Sequence, residues 1–374
     1  MNQTTSKNHD LPDPALPDIG TKRKGQPSCS EKPLNNGEFQ AALLAGVSRT
    51  FALTIPQLPQ ELRQVVSNAY LLCRTVDTIE DEPCLTPSQK KYFCDMFLEI
   101  LKTDSDPEGL TSRLTPLLTQ HTIPAEHELI RQLNRVVGIT KSFTREQQTT
   151  LVRCVQIMSE GMVYFQHHAS PQGLQHQAEM DKYCYHVAGV VGEMLTDLFC
   201  YYSPEIALNR LELIKLSSSF GQGLQMTNIL KDLWDDRKRG VCWLPKDLFE
   251  MKGISLEDIE TLAENKRYQE GLKQLLGIAH YHLENALKYT LLIPAQEKGI
   301  REFCLWALGM AMLTLRKINR NPGFTRTSQV KISRKSVNAT VALSRLTVKH
   351  DTLLKGIFHL LGRGLPKANV KQPE

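Results

Sequence analysis

From Glu38 onward apolar residues recur at helical spacing in one run after another, and the breaks fall at prolines, glycines and short polar stretches. The run FQAALLAGVSRTFALTI before Pro56 predicts a first helix, and ELRQVVSNAYLLCRTVDTIEDE before Pro83 a second. Thr86-Pro87 predicts a helix start with proline at its first position. Long helices are predicted over 142–168, 179–202, 204–236, 272–292, 295–319 and 336–361. There is no period-two run bounded by Asn-Gly or Asp-Gly, so no hairpin is expected. No period of 20–50 residues recurs, which sets repeat architectures aside. The expected fold is all-α: one large helical domain over 37–362 around a central active-site cavity, a disordered tail over 1–36, and a flexible tail over 363–374.

Composition narrows this only a little. The chain of 374 residues is 41% hydrophobic and 23% charged, enough for a sizeable core. Its net charge of +5 is mild, and no Lys/Arg stripe with interleaved aromatics is present, so a nucleic-acid partner is not expected. Nine scattered cysteines without a CxxC pair read as reduced thiols of a cytoplasmic protein. No run approaches the roughly 18 apolar residues that span a bilayer, and no signal-peptide core opens the chain. No transmembrane segment is expected. The amphipathic stretch LLKGIFHLLGRGLPK reads as a core-packing helix, with peripheral membrane contact as the alternative. A monomer is expected.

Two short stretches carry the candidate chemistry. Asp77 and Asp81 stand four apart in YLLCRTVDTIEDE, and Asp232 and Asp236 stand four apart in QMTNILKDLWDD. Four residues of helix advance roughly 6 Å along the axis, so each pair projects from one face. Arg74 lies one turn before the first pair, and Lys231 beside the second. A single such pair is usually a solvated helix end. Two pairs embedded in apolar neighbours would repel and pay a desolvation penalty unless cations relieved them. Hard oxygen ligands suit Mg²⁺, which is held by one or two carboxylates together with substrate phosphates. The residues therefore point to a Mg²⁺–diphosphate site between helices.

A third stretch, DKYCYHVAGVVGEMLTDLF, sets Tyr183, Val187 and Val191 four apart on one stripe. Gly189 and Gly192 each weaken a helix interior by about 1 kcal/mol relative to alanine. Their presence implies a close approach to the backbone, by another helix or by an apolar substrate tail. Tyr183 reads either as a core residue with a satisfied hydroxyl or as a ring beside a carbocation.

Taken in order, SRTF at 48–51, DTIED at 77–81, YCYHVAGVVG at 183–192 and NILKDLWDD at 228–236 resemble the blocks of the squalene/phytoene synthase family. VKISRK at 330–335 resembles a basic segment of its squalene-forming branch, and the inner threonine of DTIED points to that branch too. The likeness spans roughly residues 38–338. Each block alone is modestly specific; together and in order they are highly specific. The resemblance implies the helical fold of isoprenoid synthases and head-to-head condensation of two farnesyl diphosphates to presqualene diphosphate, then reduction with NADPH to squalene. It implies that Asp77, Asp81, Asp232 and Asp236, with Asn228, hold Mg²⁺. It places Arg49, Arg74, Lys231, Asn228 and Gln225 at the diphosphates, and Tyr183 at the first condensation. Phe51, Val187, Val191 and Leu195 would wall the farnesyl tails. Ser48, Arg49, Lys331, Arg334 and Lys335 would bind the NADPH phosphates; no GxGxxG offers a Rossmann alternative.

This chain departs from the family pattern at Lys231 and Asp235, where arginine and glutamate are common. Lysine is a point charge and cannot fork onto a phosphate as arginine does. The hydrophobic C-terminal anchor of eukaryotic members is missing, from which a soluble enzyme is expected. Other readings stay open at this point: a dehydrosqualene or phytoene synthase without a reductive step, an isoprenoid cyclase, or a non-catalytic helical scaffold that binds a cation.

Overall fold

The computed structural model describes residues 34–103, 105–257 and 261–368. The expected N-terminal tail, up to position 33, and the last positions of the chain, 369–374, lie outside the described residues. From Asn35 on, the chain clusters as one unit, and among the described residues it is built of helices, with a single isolated bridge between Leu174 and Pro245.

The helices that carry or flank the site are α1 (Asn36–Val47), α2 (Arg49–Thr54), α3 (Gln60–Asp81), α4 (Pro87–Lys102), α5 (Arg145–His168), α6 (Gln177–Cys184), α7 (Val190–Tyr202), α8 (Arg210–Lys238), α9 (Lys266–Leu292), α10 (Lys298–Arg320), α11 (Arg334–Thr347) and α12 (Asp351–Gly362). The capping chemistry explains several starts. Thr86 accepts from the Gln89 amide while Gln89 reaches back to the Thr86 amide, closing a capping box ahead of α4. Thr144 and Gln147 do the same for α5.

Four predicted helices are interrupted, and in the one over 204–236 a turn at Leu208–Asn209 parts a short helix, Pro204–Ala207, from α8. The first breaks at Ser48, whose extended backbone ends α1 and whose hydroxyl accepts the Phe51 amide to start α2. The last breaks at His350 between α11 and α12. The helix predicted over 179–202 is helical throughout, but Tyr185–Gly189 forms a π-turn between α6 and α7. The region 108–141, where no helix is predicted from sequence, contains three short ones, at Glu108–Leu114, Pro124–Arg131 and Leu133–Lys141.

α8 is the axis of the packing, against α9 on one side and against α7 and the π-turn on the other. The close approach implied by Gly189 and Gly192 is a helix: a Cβ at Gly192 would collide with the Ser217 carbonyl, and one at Gly221 with the Ala188 carbonyl. Of the two readings open in the sequence, helix packing is the one realised. Buried polar groups fix the remaining geometry. Asn68 of α3 accepts from Gln40 of α1 at 3.0 Å and donates to Thr140 at 2.7 Å and to the Val136 carbonyl at 3.2 Å, tying three helices together. Arg301, fully buried, donates to the carbonyls of Ile293 and Val348 and to Asp351, fastening α10 to the α11–α12 corner.

Candidate active site

The first acid pair lies on the last two turns of α3. That end is anchored by Glu82, a 1%-exposed carboxylate that accepts from the amides of Thr119 and Cys84 and from the hydroxyls of Thr119 and Thr122. Burial pushes its pKa up, but these hydrogen bonds outweigh burial and hold it below the usual range. Just before it, Arg74 stands 3.5 Å from Asp77 and also pairs with Glu126. Asp77 keeps 30% of its side chain accessible. Burial pushes its pKa up to about 7; Arg74 opposes the shift and Asp81 adds to it. Glu80, on the neighbouring face, is raised to about 8 by burial and by Asp81, while the Gln166 amide, 2.7 Å from its carboxylate, opposes the rise.

The second pair occupies the C-terminal turns of α8. Lys231 is 3.1 Å from Asp232 and donates to Asn228 Oδ1 at 3.1 Å. Asp236 is buried, which raises its pKa; Arg239 opposes that rise, and Asp232 and Asp81 add to it. The two pairs meet. Arg239 donates to Asp236 Oδ1 at 2.6 Å and to Asp81 Oδ1 at 3.3 Å, a contact across 158 positions of sequence. Gln225 lies one turn before Asn228, half-buried.

Tyr183 stands within electrostatic reach of Glu80, Asp236 and Asp81. Its ring stacks on Trp243, with centroids 4.1 Å apart and planes 8° from parallel, and Phe165 meets it edge-on at 5.2 Å. Burial raises its pKa well above the usual phenol value, so the hydroxyl stays protonated. Val187, Val191 and Leu195 pack on the core yet remain only partly buried, as does Phe51, whose ring lies 4.9 Å from that of Tyr70. Tyr70 in turn hydrogen-bonds with Ser48 and feels Arg74 and Asp77, so Ser48 and Phe51 belong to the neighbourhood of the first acid pair. Arg49 opens α2; its side chain lies outside the described set.

Lys331, Arg334 and Lys335 are exposed, and among the described residues no acid pairs with them. No hydrogen bond or ion pair among the described residues links them to Ser48. Their segment is moored to the site from another side: Thr327 donates to Asp235 of α8 at 2.7 Å, and Lys317 of α10 donates to the Lys331 carbonyl at 2.5 Å. A separate groove of about 410 Å³ between α4 and α5, lined by Lys91, Glu99, Lys102 and Glu160 among others, carries both signs of charge and none of the residues above.

Sequence reading missed Glu80, Glu126, Gln166, Arg239 and Trp243. Arg239 had a local signal, since it lies three residues after Asp236, just past the end of the predicted helix. Trp243 and Gln166 had none, because their partners come from distant helices.

The donors here are carboxylate and amide oxygens, the chemistry that suits Mg²⁺. Among the described residues, no three acidic, histidine or cysteine side chains converge closely enough to hold an ion by themselves. Pairs of carboxylates facing a space that phosphates complete are the arrangement such an ion accepts, so the residues fit it together with a diphosphate.

The fold is shared with solved structures. The structure of TcSQS with the ligand BPH1237 aligns with a TM-score of 0.70 over 91% of this chain and 94% of that one, at 22% identity. A dehydrosqualene synthase in complex with ligand gives 0.56 over 86% and 97%, at 18% identity. The model of the family Squalene/phytoene synthase matches residues 44–336, and the chain belongs to that family. Similar proteins include Squalene synthase ERG9 of Gibberella zeae, 30% identical over 74% of this chain and 57% of that protein. Squalene synthase of Cyberlindnera jadinii is 28% identical over 88% and 70%, and Squalene synthase 1 of Arabidopsis thaliana 28% over 74% and 64%. The chain thus spans less than two thirds of the Gibberella and Arabidopsis proteins. Among the described residues, no helix is long and apolar enough to cross a membrane.

Proposed function

We propose that this protein is a prenyltransferase that joins two farnesyl diphosphates head to head and reduces the product to squalene with NADPH. The observation that carries this reading is the meeting of the α3 and α8 acid pairs at Arg239, with Tyr183 within reach of both. Family membership and relatives named squalene synthase support it.

In the first half, the bond from carbon to one diphosphate breaks, the allylic cation meets the second farnesyl double bond, and a proton leaves to close presqualene diphosphate. In the second, the remaining diphosphate departs, the skeleton rearranges, and a hydride ends the sequence. Mg²⁺, when bound, supplies positive charge against the departing diphosphates, and NADPH supplies the hydride. Asp77, Asp81, Asp232 and Asp236, with Asn228, would hold the ion, and Arg49, Arg74, Lys231 and Gln225 would face the phosphate oxygens. The protonated Tyr183 hydroxyl and its ring would lie beside the cation. Val187, Val191, Leu195 and Phe51 would keep water from it. Lys331, Arg334 and Lys335, with Ser48 and Arg49, would take the phosphates of NADPH. Leu353 and Leu360 of α12 are 54% and 57% exposed, which supports peripheral contact with a lipid surface that could receive so apolar a product.

The test is an incubation with farnesyl diphosphate and Mg²⁺, with and without NADPH, followed by identification of the hydrocarbons. Squalene formed only with NADPH is the expected result. Dehydrosqualene in both arms would move the assignment to a non-reductive relative. No release of pyrophosphate in either arm would leave a helical scaffold.

A further inference from the structure

A single guanidinium stands where the two acid pairs meet. Arg239 is 2.6 Å from Asp236 and 3.3 Å from Asp81, and among the described residues neither carboxylate forms another ion pair, Lys90 acting on Asp81 only from further away. Asp236 is nearly closed off, at 9% side-chain exposure, so its charge depends on this partner. The Arg239 side chain itself is 62% exposed. It springs from the C-cap of α8, and Gly240 follows at φ +77, where the chain turns away. A long side chain at such a corner can swing outward without moving either helix. Among the described residues no three acidic, histidine or cysteine side chains are placed to hold a metal ion by themselves, and the guanidinium lies between the two helices that carry the acid pairs.

We propose that Arg239 is a resident counter-ion of the acid pairs, which weakens metal binding in the absence of diphosphate and transfers to the diphosphate when it arrives. The inference rests on the function proposed above. A cation already seated between Asp81 and Asp236 competes with any other that would join them. A metal ion arriving alone must push the guanidinium into water and forfeit two charge-assisted bonds. A metal ion arriving with diphosphate does not, because the phosphate oxygens offer the fork a new bidentate partner. Arg239 is then a positioning residue that couples the two ligands: each binds better when the other is present. Lysine could not do the same, since a point charge reaches one carboxylate and leaves the other unpaired.

The full chain can be titrated with Mn²⁺ by calorimetry, with and without inorganic pyrophosphate, with circular dichroism confirming the fold of each variant. Partly exposed pairs contribute modestly, so Arg239→Gln is expected to bind Mn²⁺ alone ~3- to 10-fold more tightly than the parent. The enhancement by pyrophosphate should shrink in proportion. Arg239→Lys should fall between the two, which keeps the test open if the glutamine variant folds poorly. Lys238→Gln removes the same charge from the adjacent position, where it pairs with Asp235 at 3.2 Å, and should leave both affinities within about 2-fold. The proposal is overturned if Arg239→Gln gains no affinity for Mn²⁺ alone, or if Lys238→Gln gains as much. Failure of the parent to take up Mn²⁺ even with pyrophosphate would instead remove the proposed function, and this inference with it.

Discussion

Tyr183 and Trp243 stack face to face, 4.1 Å between centroids, at the point where the π-turn region meets the chain beyond α8. The stack fixes the phenol ring, and among the described residues no protein group hydrogen-bonds to the hydroxyl, so ring and hydroxyl can be separated by substitution. Tyr183→Phe keeps the stack and should change stability by less than about 1 kcal/mol, while formation of presqualene diphosphate slows if the hydroxyl assists proton loss. Tyr183→Ala and Trp243→Ala should each cost about 3–5 kcal/mol of stability and abolish turnover. Chemical denaturation and single-turnover assays of the three variants check this; full activity in Tyr183→Ala would return the residue to ordinary core.

The acid pairs make a sharper prediction. Asp81→Asn and Asp232→Asn keep size and shape and remove one charge each. Turnover of farnesyl diphosphate should fall about 10²- to 10³-fold or more in each, as when one electrostatic stabiliser is removed from a transition state. Far-ultraviolet circular dichroism should not change, because both side chains are partly exposed. Near-normal turnover in both would take away the core of the functional reading.

The basic segment separates the two half-reactions. Lys331 and Arg334 are exposed and, among the described residues, tied to no acid, so Lys331→Gln with Arg334→Gln should fold normally. Presqualene diphosphate should still form, while the reductive step slows and the apparent KM for NADPH rises about 10-fold or more, as expected for losing charged contacts to phosphate. Equal loss of both steps would argue that the segment acts on the diphosphates.

Much of this architecture is legible in the chain before any coordinates. The i, i+4 acid pairs can be read because both members lie on one helix, where spacing alone fixes the face. The same holds for the Thr86–Gln89 cap. What spacing cannot show is which helices meet. Arg239 lies three residues past the second acidic stretch, yet nothing local says that its other partner is Asp81. Trp243 follows α8 in a non-helical segment with no pattern to mark it. The break at Ser48 was hidden because the apolar period continues across it and the decisive bond, from the Phe51 amide to the serine hydroxyl, leaves no trace in hydrophobicity. Gly189 and Gly192 signal a close approach, but only packing reveals that the visitor is α8.

Stability should respond to acid through His282. Its Nδ1 lies 2.8 Å from the Ser219 hydroxyl, which also accepts from Asn285 at 3.0 Å. Burial alone lowers its pKa from 6.5 to about 4. The unfolded chain therefore binds a proton that the folded chain refuses, and stability is lost as pH falls from about 6.5 through about 4. Over that window the contribution is at most about 3 kcal/mol. His282→Gln should flatten this part of the pH–stability curve in urea melts. An unchanged slope would show that other groups set it.

The π-turn at Tyr185–Gly189 holds one residue more than an α-helical turn would. In a helix, one residue is a rotation of about 100°, so the turn works as a phase shift between the segment that carries Tyr183 and the segment that carries Val191 and Leu195. Rewinding the same residues as uninterrupted α-helix would lengthen the rod by no more than about 2 Å. It would also swing Tyr183 about a quarter-turn around the helix axis relative to Val191, off Trp243 and away from the acid pairs. The geometry of the site thus depends on a count of residues as much as on their identities, and a variant with every side chain intact could still be out of step.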